Sequence, residues 1–124
     1  MVEIPIDTNG VAYMTESVNV GGVSLSIRLL WNSRDKHWFA DFESVDGNNN
    51  GIRLVVNTPL LAYKNRCLKE GDLVVIQSIT GASAELGFKN LGKEFSMLYL
   101  TKTEVKQFTE ALLTMKSRRM PSNG

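Results

Sequence analysis

The stretch VSLSIRLLW, residues 23–31, decides the fold because apolar and polar side chains alternate along it. Every odd-numbered position holds an apolar residue: Val23, Leu25, Ile27, Leu29 and Trp31. Two serines and an arginine stand between them. Successive side chains of a β-strand point to opposite faces of a sheet. The pattern therefore predicts a strand with one buried and one solvated face.

The flanking segments predict hairpins on both sides of this strand. A loosely alternating run at 11–20 precedes Gly21-Gly22, and a glycine pair suits a tight turn because both residues can take positive φ. A polar turn at 32–36 leads into HWFADF, residues 37–42, which places Trp38, Ala40 and Phe42 on one face. We expect Trp31 and Trp38 to meet across this second hairpin, where aromatic pairs contribute about 0.2–1 kcal/mol.

The rest of the first hundred residues reads as shorter strands separated by turns. Pro59 interrupts the pattern because proline is excluded from central strands. Loops of about a dozen residues or more in a compact domain are often functional, and residues 80–94 form the longest candidate. The expected segments are a turn at 46–51, a strand at 52–56, a turn at 70–72, and strands at 73–76 and 95–100.

The end of the chain predicts a helix. Thr101 and Glu104 have capping-box spacing, with Thr103 as a competing cap. An apolar stripe follows at Val105, Phe108, Leu112 and Met115, and the helix should stop before Pro121. We expect this stripe to pack on the chain's own sheet, with docking on another subunit as the alternative.

These elements predict a mainly β fold, namely a small antiparallel β barrel or sandwich with one C-terminal α-helix. We divide this single domain into a β core at 1–100, an amphipathic helix at 101–120 and a tail at 121–124. The 124 residues are 43% hydrophobic and 22% charged, with a formal net charge of +1. This balance is typical of a globular protein and provides no global attraction to nucleic acid or membrane.

Few residues are suited to catalysis or to binding a cofactor. The single histidine, His37, has Asp35 and Asp41 nearby, but a triad also needs an activated nucleophile. The single cysteine, Cys67, cannot form an intrachain disulfide or frame a zinc site, and we interpret it as an inert thiol. The acidic turn at 46–51 lacks the closing glutamate of a calcium loop. We therefore predict no catalytic residue, cofactor or metal, with a small hydrolase using His37 or Cys67 as a rival hypothesis.

A second rival is a single-strand nucleic-acid binder. Small β barrels bind single strands with aromatic side chains and a basic groove. The residues that could share such a face are Arg28, Arg34, Lys36, Phe39 and Arg53. Against this reading, the first hundred residues hold nine Lys or Arg and eleven Asp or Glu.

An ordered series of segments resembles the baseplate plug proteins of contractile-tailed bacteriophages, of the cyanophage type. The resemblance covers roughly residues 1–100, and the capped helix and basic tail extend beyond it. The segments are MVEIPI (1–6), SIRLLWN (26–32), RD (34–35), WFAD (38–41), GIRLVV (51–56), PLL (59–61), GDLVV (71–75), LG (91–92) and FSMLYL (95–100).

The resemblance implies a virion structural protein at the axial core of the tail baseplate, assembled in the host cytoplasm. Its partners would be tube, hub, spike or wedge proteins and copies of itself, without nucleic acid or membrane insertion. A tube-end adaptor or initiator of the same tail is the alternative. We select the contact candidates from the polar loops and the basic C-terminus: Arg34, Lys36, Lys89, Asn90, Lys93, Lys116, Arg118 and Arg119.

Overall fold

The computed structural model describes residues 1–8, 10–61, 67–68, 70–78 and 85–119, apart from the side chains of 112 and 115–119. Within these residues the chain forms seven strands and a C-terminal helix. In chain order they are β1 (Val2–Ile4), β2 (Tyr13–Val20), β3 (Val23–Asn32), β4 (His37–Ser44), β5 (Gly47–Arg53), β6 (Asp72–Gln77), β7 (Phe95–Leu100) and α1 (Lys102–Arg119).

The strands form two antiparallel sheets that face each other. The larger sheet has the order β2-β3-β4-β5, and the smaller has the order β1-β7-β6. After β5 the chain crosses to the smaller sheet, where the N–H of Asn57 donates to the Val75 carbonyl at 2.8 Å. The mainly β prediction is confirmed, and the architecture is sandwich-like without a closed barrel.

The core lies between the inner faces of the two sheets. From the larger sheet, Leu25, Leu29 and Phe42 are 0% exposed, as the alternation at 23–31 predicts. From the smaller sheet, Leu73 and Met97 pack against the same cluster. Burial of this apolar area, at about 25 cal/mol per Å², is the main force that holds the sheets together.

Both predicted hairpins of the larger sheet are confirmed. Gly21 and Gly22 have φ values of 57° and 78°, the positive pair that a two-residue turn requires. In the next hairpin Trp31 lies directly opposite Trp38. Their ring centroids are 5.4 Å apart in an edge-to-face arrangement, so the expected aromatic contact forms.

The predicted turn at 46–51 is wrong, because Gly47–Arg53 forms the strand β5. Glycine and asparagine favour turns, but here long-range hydrogen bonds keep them in the sheet, and Gly51 takes a left-handed φ of 67° at an irregularity of the strand. Asp41 Oδ1 accepts the Gly51 N–H at 2.7 Å, and Asn49 Oδ1 accepts the Cys67 N–H at 3.1 Å. The strand predicted at 52–56 therefore starts earlier and ends at Arg53, and a register shift near Asp41 absorbs the irregularity.

The predicted capping box is confirmed at the start of α1. The Thr101 N–H donates to Glu104 Oε1 at 2.9 Å, and the Glu104 N–H donates to Thr101 Oγ1 at 3.3 Å. Val105 and Phe108 pack on the outer face of the smaller sheet, so the start of the stripe docks within the chain as predicted. The Leu112 and Met115 side chains and residues 120–124 lie outside the described part. In the described chain, no helix has the length and apolar character needed to cross a membrane.

Candidate interaction surface

The described part of the long loop, residues 85–94, packs against the tip of the β3–β4 hairpin. Phe88 stacks on Trp38 with 5.9 Å between centroids and 12° between planes, and it lies 5.5 Å from Trp31. Trp38 Nε1 also donates to the Gly87 carbonyl at 3.0 Å. Three aromatic rings and this hydrogen bond therefore bring the loop and the hairpin to one end of the sandwich.

Asn90 organises the loop from within. Its Oδ1 accepts the Gly87 N–H at 2.7 Å, and its Nδ2 donates to the Glu85 carbonyl at 2.8 Å. The neighbouring Lys89 and Lys93 side chains are exposed. Of the three contact candidates in this loop, the two lysines are therefore presented to solvent, whereas the Asn90 amide is already used in shaping their backbone.

The hairpin turn presents Arg34 and Lys36. Asn32 Oδ1 accepts the N–H groups of Arg34 and Asp35 at 3.0 Å each, which closes the turn. Lys36 completes it with a φ of 57°, and both basic side chains are exposed. The hydrogen-bonded turn therefore fixes the backbone from which these two charges project.

A groove of about 610 Å³ opens beside this turn. Lys36, His37 and Arg53 line one part of it, and Glu85 and Leu86 from the loop line another. We call the exposed basic residues Arg34, Lys36, Arg53 and Lys89 the tip surface. Its cations outnumber the nearby Asp35 and Glu85, so the net charge of this surface is positive.

His37 supports the tip surface through two hydrogen bonds. Its Nδ1 bonds the Asp35 carbonyl at 2.5 Å, and its Nε2 contacts the Arg53 guanidinium. A carbonyl only accepts and a guanidinium only donates, so one neutral tautomer, with the proton on Nδ1, satisfies both. The imidazole ring thus positions the Arg53 guanidinium. The Asp41 carboxylate accepts a hydrogen bond from the Gly51 N–H rather than from His37.

Cys67 is placed as an inert thiol would be. Its side chain is 0% exposed. Burial is the largest cause that raises its pKa, to about 11. Since the thiolate is the nucleophilic form, Cys67 is poorly suited to covalent chemistry at neutral pH. Among the described residues, His, Cys, Asp and Glu do not gather into a group able to hold a metal ion.

The outer face of the larger sheet brings together part of the set proposed for nucleic acid. The strand register aligns Arg28 with Asp41, and Phe39 with both Leu30 and Arg53. Arg28, Phe39 and Arg53 therefore share this face, as predicted. Asp41 lies 3.7 Å from Arg28, so carboxylate charge is interleaved with the basic residues.

Glu16 is an ionisable group of the sheet that the sequence patterning did not single out. It lies opposite Ile27, so the register directs it to the inner face. Its Oε2 is buried without a hydrogen-bond partner among the described residues. Desolvation by burial raises the pKa of its carboxyl group. The folded chain thus binds this proton more tightly than the unfolded chain, and ionisation of Glu16 destabilises the fold.

We expect Glu16→Gln to raise the free energy of unfolding at pH 7 by about 1 kcal/mol, because it removes a desolvated negative charge and keeps the shape of the side chain. The gain should shrink as the pH falls through the raised folded pKa, because protonation removes the same penalty from the wild type. Urea unfolding at pH 7 and pH 5 measures both effects. Glu43→Gln, at an exposed carboxylate, is the matched control, and an equal gain there would contradict this account.

The structure thus places Arg34 and Lys36 on the hairpin turn, and Lys89, Asn90 and Lys93 on the loop that packs against that hairpin. The Lys116, Arg118 and Arg119 side chains on the last turns of α1 lie outside the described part. Sequence reasoning missed Phe88, which joins the two segments. A large apolar residue within a polar loop was the available signal.

The comparisons with known proteins identify a family for this β core. A family model described as "Cyanophage baseplate Pam3 plug gp18" matches residues 1–103 of the chain. The match covers both sheets and ends within the first turn of α1. No curated protein matches the chain.

Proposed function

Since the chain belongs to the cyanophage baseplate plug family, whose place is the virion tail baseplate, we propose that it occupies the axial core of that baseplate. There it joins the end of the tail tube to the hub and spike through protein–protein contacts. The family match to residues 1–103 is the observation that carries this proposal.

The tip surface is the part of the molecule that we assign to one of these contacts. Three of its four basic side chains stand on the hairpin turn and the loop, which Phe88, Trp31 and Trp38 fasten together, and Arg53 at the end of β5 is tied to the hairpin by His37. A rigid support reduces the entropy lost when a surface is ordered on binding. Charge complementarity with an acidic neighbour would set the orientation of the plug and accelerate its docking.

The proposed role uses contacts and no catalysis. His37 is engaged with Asp35 and Arg53, and the Cys67 thiol is buried. The family is one of structural baseplate proteins, which agrees with this reading. A tube-end adaptor or initiator of the same tail remains the alternative placement, because it would use the same kind of surface.

Copurification with tail components tests the proposal. Tagged chain is expressed with the tube, hub and spike proteins of the same phage, and the retained proteins are identified by mass spectrometry. We expect hub and tube proteins to be retained at moderate salt. Retention of none of them, with the chain folded, would contradict a plug role.

The double variant Lys36→Glu, Lys89→Glu should weaken retention of the acidic neighbour at least tenfold. It reverses two charges of the tip surface, and rim charges act mainly on association rate and salt dependence. Binding to titrated partner, measured by biolayer interferometry at two salt concentrations, gives the change. The double variant Lys102→Glu, Lys106→Glu, at exposed positions of α1, makes the same change in net charge and is the matched control, which should bind as the wild type does. Equal losses in both variants would assign the effect to net charge alone.

The shared outer face of Arg28, Phe39 and Arg53 favours single-strand nucleic-acid binding as a second candidate function. Basic grooves with stacking aromatic residues bind single strands with a strong salt dependence. Fluorescence anisotropy with a labelled oligonucleotide at low and high salt separates the candidates. Tight, salt-sensitive binding that Phe39→Ala weakens would support this second function.

A further inference from the structure

In the part of the chain that the structure describes, the outer edge of β2 pairs with no other strand. β2 is the terminal strand of the larger sheet, and its register with β3 is unbroken from Tyr13 to Val20. Open edges are commonly protected by shortness, lysine, proline, a bulge or an inward-pointing charge. β2 spans eight residues without lysine, proline or a bulge, and the one such device that it carries is the inward-facing Glu16.

The β2–β3 hairpin fixes which backbone groups face the open edge. A two-residue loop is flanked by a hydrogen-bonded pair, here Val20 and Val23. Hydrogen-bonded and non-bonded pairs alternate along an antiparallel ladder. The residues whose N–H and C=O point away from β3 are therefore Tyr13, Thr15, Ser17 and Asn19. All four side chains are exposed.

From this arrangement we infer that β2 pairs antiparallel with β2 of a second copy of this chain, centred on Ser17. A two-fold axis normal to the sheet relates the two copies. Odd-numbered residues of one β2 then lie opposite odd-numbered residues of the other. With Ser17 on the axis, Ser17 lies opposite Ser17, and Thr15 lies opposite Asn19. Hydrogen-bonding groups then meet in register, giving about six main-chain bonds.

The side chains favour this register over its nearest neighbour. Centring the pair on Glu16 would set two carboxylates directly opposite at a closely spaced, non-bonded position, which destabilises a sheet. Centring on Ser17 places Glu16 opposite Val18 instead. On the outer face it pairs the Thr15 hydroxyl with the Asn19 amide, which can hydrogen-bond to each other. The strand is thus complementary to itself, which argues for a second copy as the occupant of its edge.

Proline substitution tests the pairing without touching the β2–β3 ladder. Ser17→Pro removes an N–H that points to the open edge, and proline is tolerated in edge strands where the N–H faces outward. We expect the wild type to sediment as a dimer and Ser17→Pro to dissociate at least tenfold more readily. Ser17→Thr keeps the N–H and should remain dimeric. Analytical ultracentrifugation over a concentration series gives the constants.

Crosslinking supplies a second measurement if the proline variant fails to fold. Ser17→Cys should join two copies through a short bis-maleimide, because Ser17 lies on the proposed axis. Ser24→Cys, on β3 away from the edge, should not crosslink. The buried Cys67 leaves a single reactive site in each variant.

Two results would overturn the inference: a monomeric wild type at high concentration, or a folded Ser17→Pro that remains dimeric. Neither result bears on the baseplate role, because retention of hub and tube is measured separately. A monomer that copurifies with tail proteins would refute the β2 pairing alone.

Discussion

Trp38→Ala is expected to lower the free energy of unfolding by about 4 kcal/mol, as large-to-small changes of a buried tryptophan do. The side chain is 1% exposed. Its loss opens a cavity, removes the stack with Phe88 and leaves the Gly87 carbonyl without the Nε1 donor. Domains of this size have a total stability of about 5–15 kcal/mol, so the variant should be close to unfolding.

Urea unfolding, followed by far-ultraviolet circular dichroism, measures the loss. Trp38→Phe is the matched variant because it retains an aromatic ring but removes the indole N–H. We expect it to lose about 1.5 kcal/mol, near the cost of one buried acceptor left unpaired. A loss below about 1 kcal/mol in Trp38→Ala would contradict the central position given to this ring.

Gly71→Ala should destabilise the fold by at least about 3 kcal/mol, whereas Gly22→Ala should cost about 1 kcal/mol. The two glycines have similar backbone conformations, with φ of 84° and 78°. A Cβ at Gly71 would lie 2.3 Å from the Leu100 carbonyl oxygen. A Cβ at Gly22 meets nothing within 4 Å.

The comparison separates steric exclusion from backbone strain. Both variants pay for a left-handed conformation, but Gly71→Ala must also displace the end of β7, where Leu100 pairs with Asp72. Thermal unfolding gives the two stabilities, and hydrogen exchange should show faster exchange in β6 and β7 for Gly71→Ala alone. Equal losses would mean that the close approach to Leu100 contributes nothing.

Local signals were enough to predict most of the strands and the start of the helix. The alternation at 23–31, the glycine pair at 21–22 and the capping residues Thr101 and Glu104 each act over a few neighbours. These features form in the structure because local preference and tertiary packing agree. The resemblance to the plug family, carried by segments in order, is confirmed by the match to residues 1–103.

The features that the sequence did not predict depend on distant partners. β5 contains a run of turn formers, and it is held in the sheet by the Asp41 side chain and by the backbone of Cys67. The run is Gly47, Asn48, Asn49, Asn50 and Gly51. β1 is three residues long and gains its place from pairing with β7. Such contacts override local propensity, which carries little information in strands.

The tip surface shows the same division between local and distant information. Sequence reasoning found Arg34 and Lys36 in a turn and Lys89 in a loop. The contact that joins the turn to the loop is that of Phe88 with Trp31 and Trp38. Local sequence patterns do not reveal it, because these residues are separated by about half of the chain length. The structure places Arg53 in the tip surface, through its contact with His37. It also shows that the Asn90 side chain forms hydrogen bonds within the loop.

The way the loop is fastened bears on how the molecule would behave under mechanical load. A load that draws β3 and β4 past each other in opposite directions acts in shear on a ladder whose pairing is unbroken from Ser26 to Asn32, so many hydrogen bonds share it. A pull on residues 85–88 meets the stacked Phe88 ring and the bond from Trp38 Nε1 to Gly87. Tension applied at this end would therefore detach the loop before it ruptures the hairpin beneath.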